Sequence, residues 1–241
     1  MATYLQTTRA MRQHGGMTFI QLQRDESLAP LVRAGIVSAA PVSVGPNSAA
    51  LDDAIRFTCS ELQVRHEGES PSEIEGTFHA RSLYRAFGID PTRHRPSSEA
   101  LLRRVVQGKG LPRILNAVDL CNLFALRFLL PLGLYDADRI EGAVTLRRGR
   151  IGEFYEGIRK DSVHLEGRPV LADATGPFGN PTSDSLRTSV TTATRSLVMV
   201  IFAPAGYPEA RLGAHLATSR DEIRDYLAPP GEEVEVATSL I

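Results

Sequence analysis

Between residues 114 and 130 the sequence sets apolar side chains at nearly every angle of a helix: Ile114, Leu115, Val118, Leu120, Leu123, Phe124, Leu126, Phe128 and Leu129. A helix apolar all round is an interior one, so the rest of the chain has to be wrapped about it. Asn116, Asp119 and Asn122 interrupt it every three residues and follow one slowly drifting stripe. Polar groups in such a place must be hydrogen-bonded or face a cavity. Pro131 closes the segment.

The flanking elements are of two kinds. Residues 18–22 alternate like a short strand, and 25–32 form a helical turn leading into a second strand over 35–40. Pro41, Gly45, Pro46 and Asn47 mark a loop. Ser48 or Asp52 opens a helix to about residue 64, with Leu51, Ile55, Cys59 and Leu62 on one face. A further helix spans 78–87 and stops at Gly88. A serine after Pro96 can cap the next helix, which carries Leu101, Leu102, Val105 and Val106. Strands are predicted at 143–146, 170–172 and 196–202. A long Gly- and Pro-bearing loop, 173–187, precedes the last of them, and loops of that length are often functional. Two helical pieces, 209–216 and 219–226, end the ordered part, and 229–241 reads as a loose tail. Late strands grouped behind helices predict an α+β fold, a mixed sheet or sandwich packed with helices. Residues 17–228 are expected to form one domain, behind residues 1–16 that read as a disordered leader or as an over-called start before Met17.

Composition excludes several classes. Hydrophobic residues are 42% and charged residues 23%, as in an ordinary globular chain. No apolar run reaches the roughly 18 residues of a membrane span, and residues 1–16 lack a secretory apolar stretch. A cytoplasmic protein without a membrane partner is expected. The net charge of −1 gives no global attraction to nucleic acid. Any RNA contact must be a local patch, for which Arg93 and Arg95 beside His94 are candidates, although a solvated loop is the simpler explanation of them. Cys59 and Cys121 have no Cys or His at metal-ligand spacing, so they read as buried small hydrophobes. Neither a metal nor a cofactor is expected.

The segment Ile114-Leu115-Asn116-Ala117-Val118-Asp119-Leu120-Cys121-Asn122-Leu123-Phe124-Ala125-Leu126, followed by Pro131-Leu132-Gly133-Leu134-Tyr135-Asp136, resembles the editing module of the bacterial phenylalanyl-tRNA synthetase β chain. Asp138-Arg139-Ile140, Gly142, the stretch from Val144 to Arg147 and Gly152-Glu153 continue the likeness, which runs from about residue 95 to 201. Proteins carrying this module by itself are more similar still: they share patterns like Arg95–Arg104, Gly108–Arg113, and Asn180 with Asp184, Ser185, Arg187 and Thr188. The resemblance implies a pocket between the buried helix and the sheet, lined by Cys121, Asn122 and the 131–135 turn with Gly133 and Leu134. It also implies hydrolysis of a wrong amino acid from a tRNA 3′ end. The synthetase pattern has a His where Gly133 stands and a Glu near Val200.

The expected function is therefore a trans-acting aminoacyl-tRNA deacylase without synthetase activity. Its partners would be tRNA and the amino-acid moiety of the aminoacyl ester. Such an ester needs a held water and a polarised carbonyl more than a protein nucleophile. Asn180, Asp184, Ser185, Arg187 and Thr188 would position the aminoacyl end, an Asp suiting an ammonium and an Arg a phosphate. The alternative is a non-catalytic binder of RNA or of an amino acid in the same pocket. For Asp184 and Arg187 the simpler reading is a mutual ion pair holding the loop.

Overall fold

The computed structural model describes residues 20–158 and 160–241, with backbone alone at 13–14, 17–18 and 160–161. Apart from the backbone at 13–14, the expected leader lies outside the described residues. In chain order the elements are β1 (Gln13–His14), β2 (Met17–Thr18), β3 (Leu22–Arg24), β4 (Val32–Ala40), α1 (Ala49–Arg65), α2 (Thr77–Ala86), α3 (Ser97–Val106) and α4 (Asn116–Phe128). There follow β5 (Leu132–Asp136), β6 (Val144–Arg148), β7 (Phe154–Gly157), β8 (Lys160–His164), β9 (Pro169–Ala172), β10 (Pro177–Gly179), β11 (Leu197–Pro204), α5 (Glu209–Leu227) and β12 (Glu235–Leu240). The α+β class is as the sequence predicts.

The larger sheet runs β12-β4-β11-β5, antiparallel throughout. Its two inner strands are apolar on both faces, because both faces are covered. Val37, Ala39, Leu197, Met199 and Ile201 point to one side and pack with α1, α3, α4 and α5. Val32, Ala34, Ile36, Val198, Val200 and Phe202 point to the other, against Leu22, Val144, Leu146, Leu171 and Phe178 of the smaller sheet β10-β9-β6-β3. The layers are thus helices, sheet, sheet. α4 takes the inner place that its composition demands, with ten of its residues buried from Asn116 to Phe128.

Ser48 caps α1 by accepting from the Leu51 N–H at 3.2 Å, as its position suggests. α3 differs: Pro96 stands at its N-cap and no side chain caps it, while the buried Glu99 is held by Arg81 at 2.7 Å and Arg95 at 3.3 Å. Four further expectations are corrected. The 131–135 turn contains the edge strand β5, and β10 sits inside the 173–187 loop. The two C-terminal helical pieces are one helix, since nothing between 216 and 219 breaks it. The loose tail is also wrong for much of its length: β12 pairs with β4 from Glu235↔Ala40 to Leu240↔Gly35. An edge strand exposed on one face needs no clear apolar alternation, so its sequence carried little signal.

Candidate functional site

The chemistry gathers at the open edge of β5. β5 pairs with β11 on one side only, which leaves outward backbone N–H groups that must find acceptors. The chain from 180 to 190 supplies them. Asp184 Oδ2 accepts from Leu134 N at 3.4 Å, and the Thr188 carbonyl accepts from Asp136 N at 2.9 Å. Asn180 shapes this loop from inside, its Oδ1 accepting from Thr182 N at 2.7 Å and Ser183 N at 3.0 Å. Its Nδ2 donates to the Tyr155 hydroxyl at 2.8 Å, which in turn donates to the Ser183 carbonyl. Ser185 Oγ accepts from Arg187 N at 3.1 Å.

Asp184 is enclosed and has no cation to pair with among the described residues. Burial pushes its carboxyl up to about 7, against the opposing pull of the Tyr135 hydroxyl and the Leu134 N–H. The phenol stands close enough to exert that pull. Even so, the Tyr135 hydroxyl and Asp184 Oδ1 both lack a partner in hydrogen-bond geometry, as does Thr188 Oγ1. Cys121 is next to the same carboxylate, and its thiol is pushed up first by burial and then by that charge. Three buried polar atoms without partners in one region are unusual enough to require an explanation.

Tyr135 also accounts for Gly133. A Cβ on Gly133 would lie 2.0 Å from the Tyr135 hydroxyl oxygen, and one on Gly179 would lie 2.2 Å from it. The phenol is clamped between two glycine backbones. Gly133 and Val200 are direct cross-strand partners, so the two departures from the synthetase pattern are neighbours on one face. Both turn towards the apolar layer shared by the sheets.

The stripe on α4 divides. Asn116 Oδ1 accepts from Gly45 N at 2.9 Å and its Nδ2 donates to the Ser43 carbonyl at 2.8 Å. Asp119 accepts from Ile114 N at 3.0 Å and from Asn47 Nδ2 at 3.0 Å. These two residues hold the 43–47 loop and the start of α4 and do not reach the 180–188 loop. Cys121 is the α4 residue at Asp184, while Asn122 is half-buried. Arg187 does not pair with Asp184. It grips the buried Asp173 with two nitrogens, at 2.9 and 3.0 Å, and donates to the Arg139 carbonyl at 3.0 Å. Burial pulls the Asp173 carboxyl up, but Arg187 and the Glu141 and Gly176 N–H groups together outweigh it and the net direction is down.

Outside this cluster lies an open cavity of about 460 Å³, lined by Arg139, Tyr155, Glu156, Ser185, Leu186 and Arg187 among others. Tyr155 belongs to both compartments, since its ring lines the cavity while its hydroxyl feels the Asp184 charge. Arg139 and Tyr155 escape the sequence reading. The exposed–buried alternation of Phe154, Tyr155, Glu156 and Gly157 is the signal that could have found the second. Arg93 is exposed and 3.8 Å from Asp90, and Arg95 is tied to Glu99. Both precede Ser97, whose hydroxyl donates to the Pro181 carbonyl at 3.5 Å, so they flank the same loop. No group of three or more His, Cys, Asp or Glu suited to a metal occurs among the described residues.

Fold and site together define an α+β module with a helix buried against a sheet and a polar loop closing that sheet's edge. Residues 79–211, more than half of the chain, match the B3/4 domain, and the chain belongs to that family. It is 34% identical over 93 residues to the phenylalanine–tRNA ligase β subunit of Streptomyces avermitilis, a match covering 38% of this chain and 11% of the relative. It is 38% identical over 69 residues to the same subunit of Paramagnetospirillum magneticum, covering 28% and 9%. Among solved structures it is similar to an N-terminal fragment of the phenylalanyl-tRNA synthetase β subunit from Pyrococcus horikoshii. That similarity has a TM-score of 0.43 and 15% identity, covering 89% of this chain and 50% of that one. The chain therefore aligns with only about a tenth of the curated relatives it matches.

Proposed function

We propose that this protein hydrolyses a mischarged aminoacyl-tRNA in trans, with Asp184 receiving the α-ammonium of the amino acid. The observation that carries the proposal is a buried carboxylate with one free oxygen and no cationic partner among the described residues. An enclosed carboxylate is costly unless it is neutralised or paired. A substrate ammonium would supply the missing charge and the missing hydrogen bond together. Membership of the B3/4 domain family makes a tRNA-borne amino acid the natural source of that ammonium.

The terminal adenosine would rest in the cavity beside Tyr155 and Ser185, and the Arg93–Arg95 segment would meet RNA backbone on the flank. Tyr155, which lines the cavity and feels the Asp184 charge, would stand between the two. The ester would then be held near the unpartnered Tyr135 and Thr188 hydroxyls, either of which can orient a water. Gly133 and Val200 offer no hydrogen-bonding side chain, and the Tyr135 phenol fills the space over Gly133, so nothing there would select a tyrosine hydroxyl, which needs a dedicated partner.

A panel of mischarged tRNAs tests this. The wild-type protein should accelerate deacylation of at least one over buffer, and Asp184→Asn should lose about 10- to 100-fold, the worth of one charged hydrogen bond. The apolar Gly133–Val200 pair specifically favours a second reading, a binder that has given up catalysis. Tight tRNA or amino-acid binding without acceleration would establish that reading. Absence of both would exclude both.

A further inference from the structure

On the helical side, away from β5, a groove of about 770 Å³ opens between α1 and α2, with the end of α4 as its floor and the first turn of α5 as a wall. Two of its aromatic rings face solvent: Phe57 is 71% exposed and Phe78 56%. The Phe78 ring lies 3.8 Å from that of His79, which meets Tyr207 edge-on at 4.7 Å, so the aromatic surface is braced from behind. The floor is fixed by Leu129, which closes α4 in the left-handed conformation at φ 55° and packs against Gly76, where a Cβ would come within 3.0 Å of Leu129 Cδ1.

The charges of the groove are unequal in their commitments. Arg65 is paired with Glu61, Arg127 with Glu222 at 2.7 Å, and His66 with Glu69 at 3.3 Å. Glu75 stands just before α2, where the helix amino end offsets its charge, and no side chain caps that end. Arg211 has no carboxylate partner among the described residues and lies with its guanidinium carbon 5.5 Å from the Tyr207 ring centre. The field of Arg211 is uncompensated there: His79 and His215 are both pushed down, by burial first and by Arg211 second.

We propose that this groove binds a nucleotide unit, with the base against the exposed Phe78 and Phe57 rings and the phosphate on Arg211. An exposed ring offers any base a stacking face. A guanidinium without a partner is suited to phosphate, and its place in the lining of the same groove as the Phe57 and Phe78 rings matches a ligand that carries both groups. The groove is independent of the Asp184 site and would stand if the deacylase reading fell. The nucleotide can be free or part of an RNA chain.

The test is calorimetric titration of the whole chain with adenosine 5′-monophosphate, with adenosine, with inorganic phosphate, and with a short single-stranded RNA ending in adenosine. The monophosphate should bind more tightly than adenosine or phosphate alone. Arg211→Gln should weaken it at least tenfold and Phe78→Ala severalfold, with thermal melting unchanged because both side chains are exposed. Asp184→Asn should leave it unaltered. RNA binding at least tenfold tighter than the monophosphate identifies the source as RNA, and equal affinity identifies a free nucleotide. Binding unaffected by either groove substitution overturns the proposal. So does self-association of the chain that Phe57→Ser and Phe78→Ser abolish while no nucleotide binds.

Discussion

Asp184 does two things that are usually separate. It closes the edge of β5 through Leu134 N, and it keeps an oxygen free inside the protein. Its raised value has a consequence for stability. Taking the ordinary value of 3.8 as that of the unfolded chain, the folded state holds the proton more tightly up to about pH 7. The contribution is fully present below pH 3.8 and is lost as pH rises through about 7, at most about 4 kcal/mol on linkage grounds. Urea unfolding at pH 5 and pH 8 should show the wild type weakening relative to Asp184→Asn, and a gap that does not change with pH would contradict the assignment. If the ionised carboxylate receives the ammonium, kcat/KM for deacylation should rise through about pH 7 and Asp184→Asn should flatten that limb. Gly133→Ala is predicted to destabilise by about 1–3 kcal/mol through overpacking, because the clamped Tyr135 ring has no space to yield. Differential scanning calorimetry checks this. The sequence shows Gly133 as a departure from its relatives, but not that a phenol two residues along fills the space.

At the level of elements, legibility follows burial pattern. α4 announces itself because a helix apolar all round admits one placement, and β11 because its β-branched run has strand length. β5 and β12 are edge strands, and the β7–β8 hairpin is half exposed, so none has a periodicity that separates it from a loop. The sequence leaves the polar stripe on α4 between hydrogen bonding and a cavity for a related reason. Spacing shows that Asn116, Asp119 and Asn122 lie near one another on the helix, but only packing reveals that the first two tie down the 43–47 loop. Arg187 is the clearest case. Its position in a polar loop leaves ligand contact and an ion pair with Asp184 both open; the pair it makes is bidentate, to the enclosed Asp173 carboxylate, and ties the 139, 173 and 187 segments together. Arg187→Ala should lower Tm by several degrees, since removing one partner of a buried pair strands the other. A Tm within a degree of wild type would show the pair to be dispensable. Deleting 235–241 uncovers the edge of β4 and should lower Tm and promote association, measurable by scanning calorimetry and sedimentation.

Across the whole molecule the two sheets and the helical layer divide the labour. The inner faces of β4 and β11 supply two apolar cores, one to each side, and leave polar chemistry to the margins where β5 meets the 180–190 chain. The family match covers the part that carries α4, β5 and that chain. Recognition of a substrate ammonium by Asp184, as proposed, is tested by comparing one aminoacyl-tRNA with its N-acetylated form, each against its own rate in buffer. Acceleration of the free-amine ester should be lost on acetylation and equally lost in Asp184→Asn. Equal acceleration of both esters by the wild-type protein would contradict it.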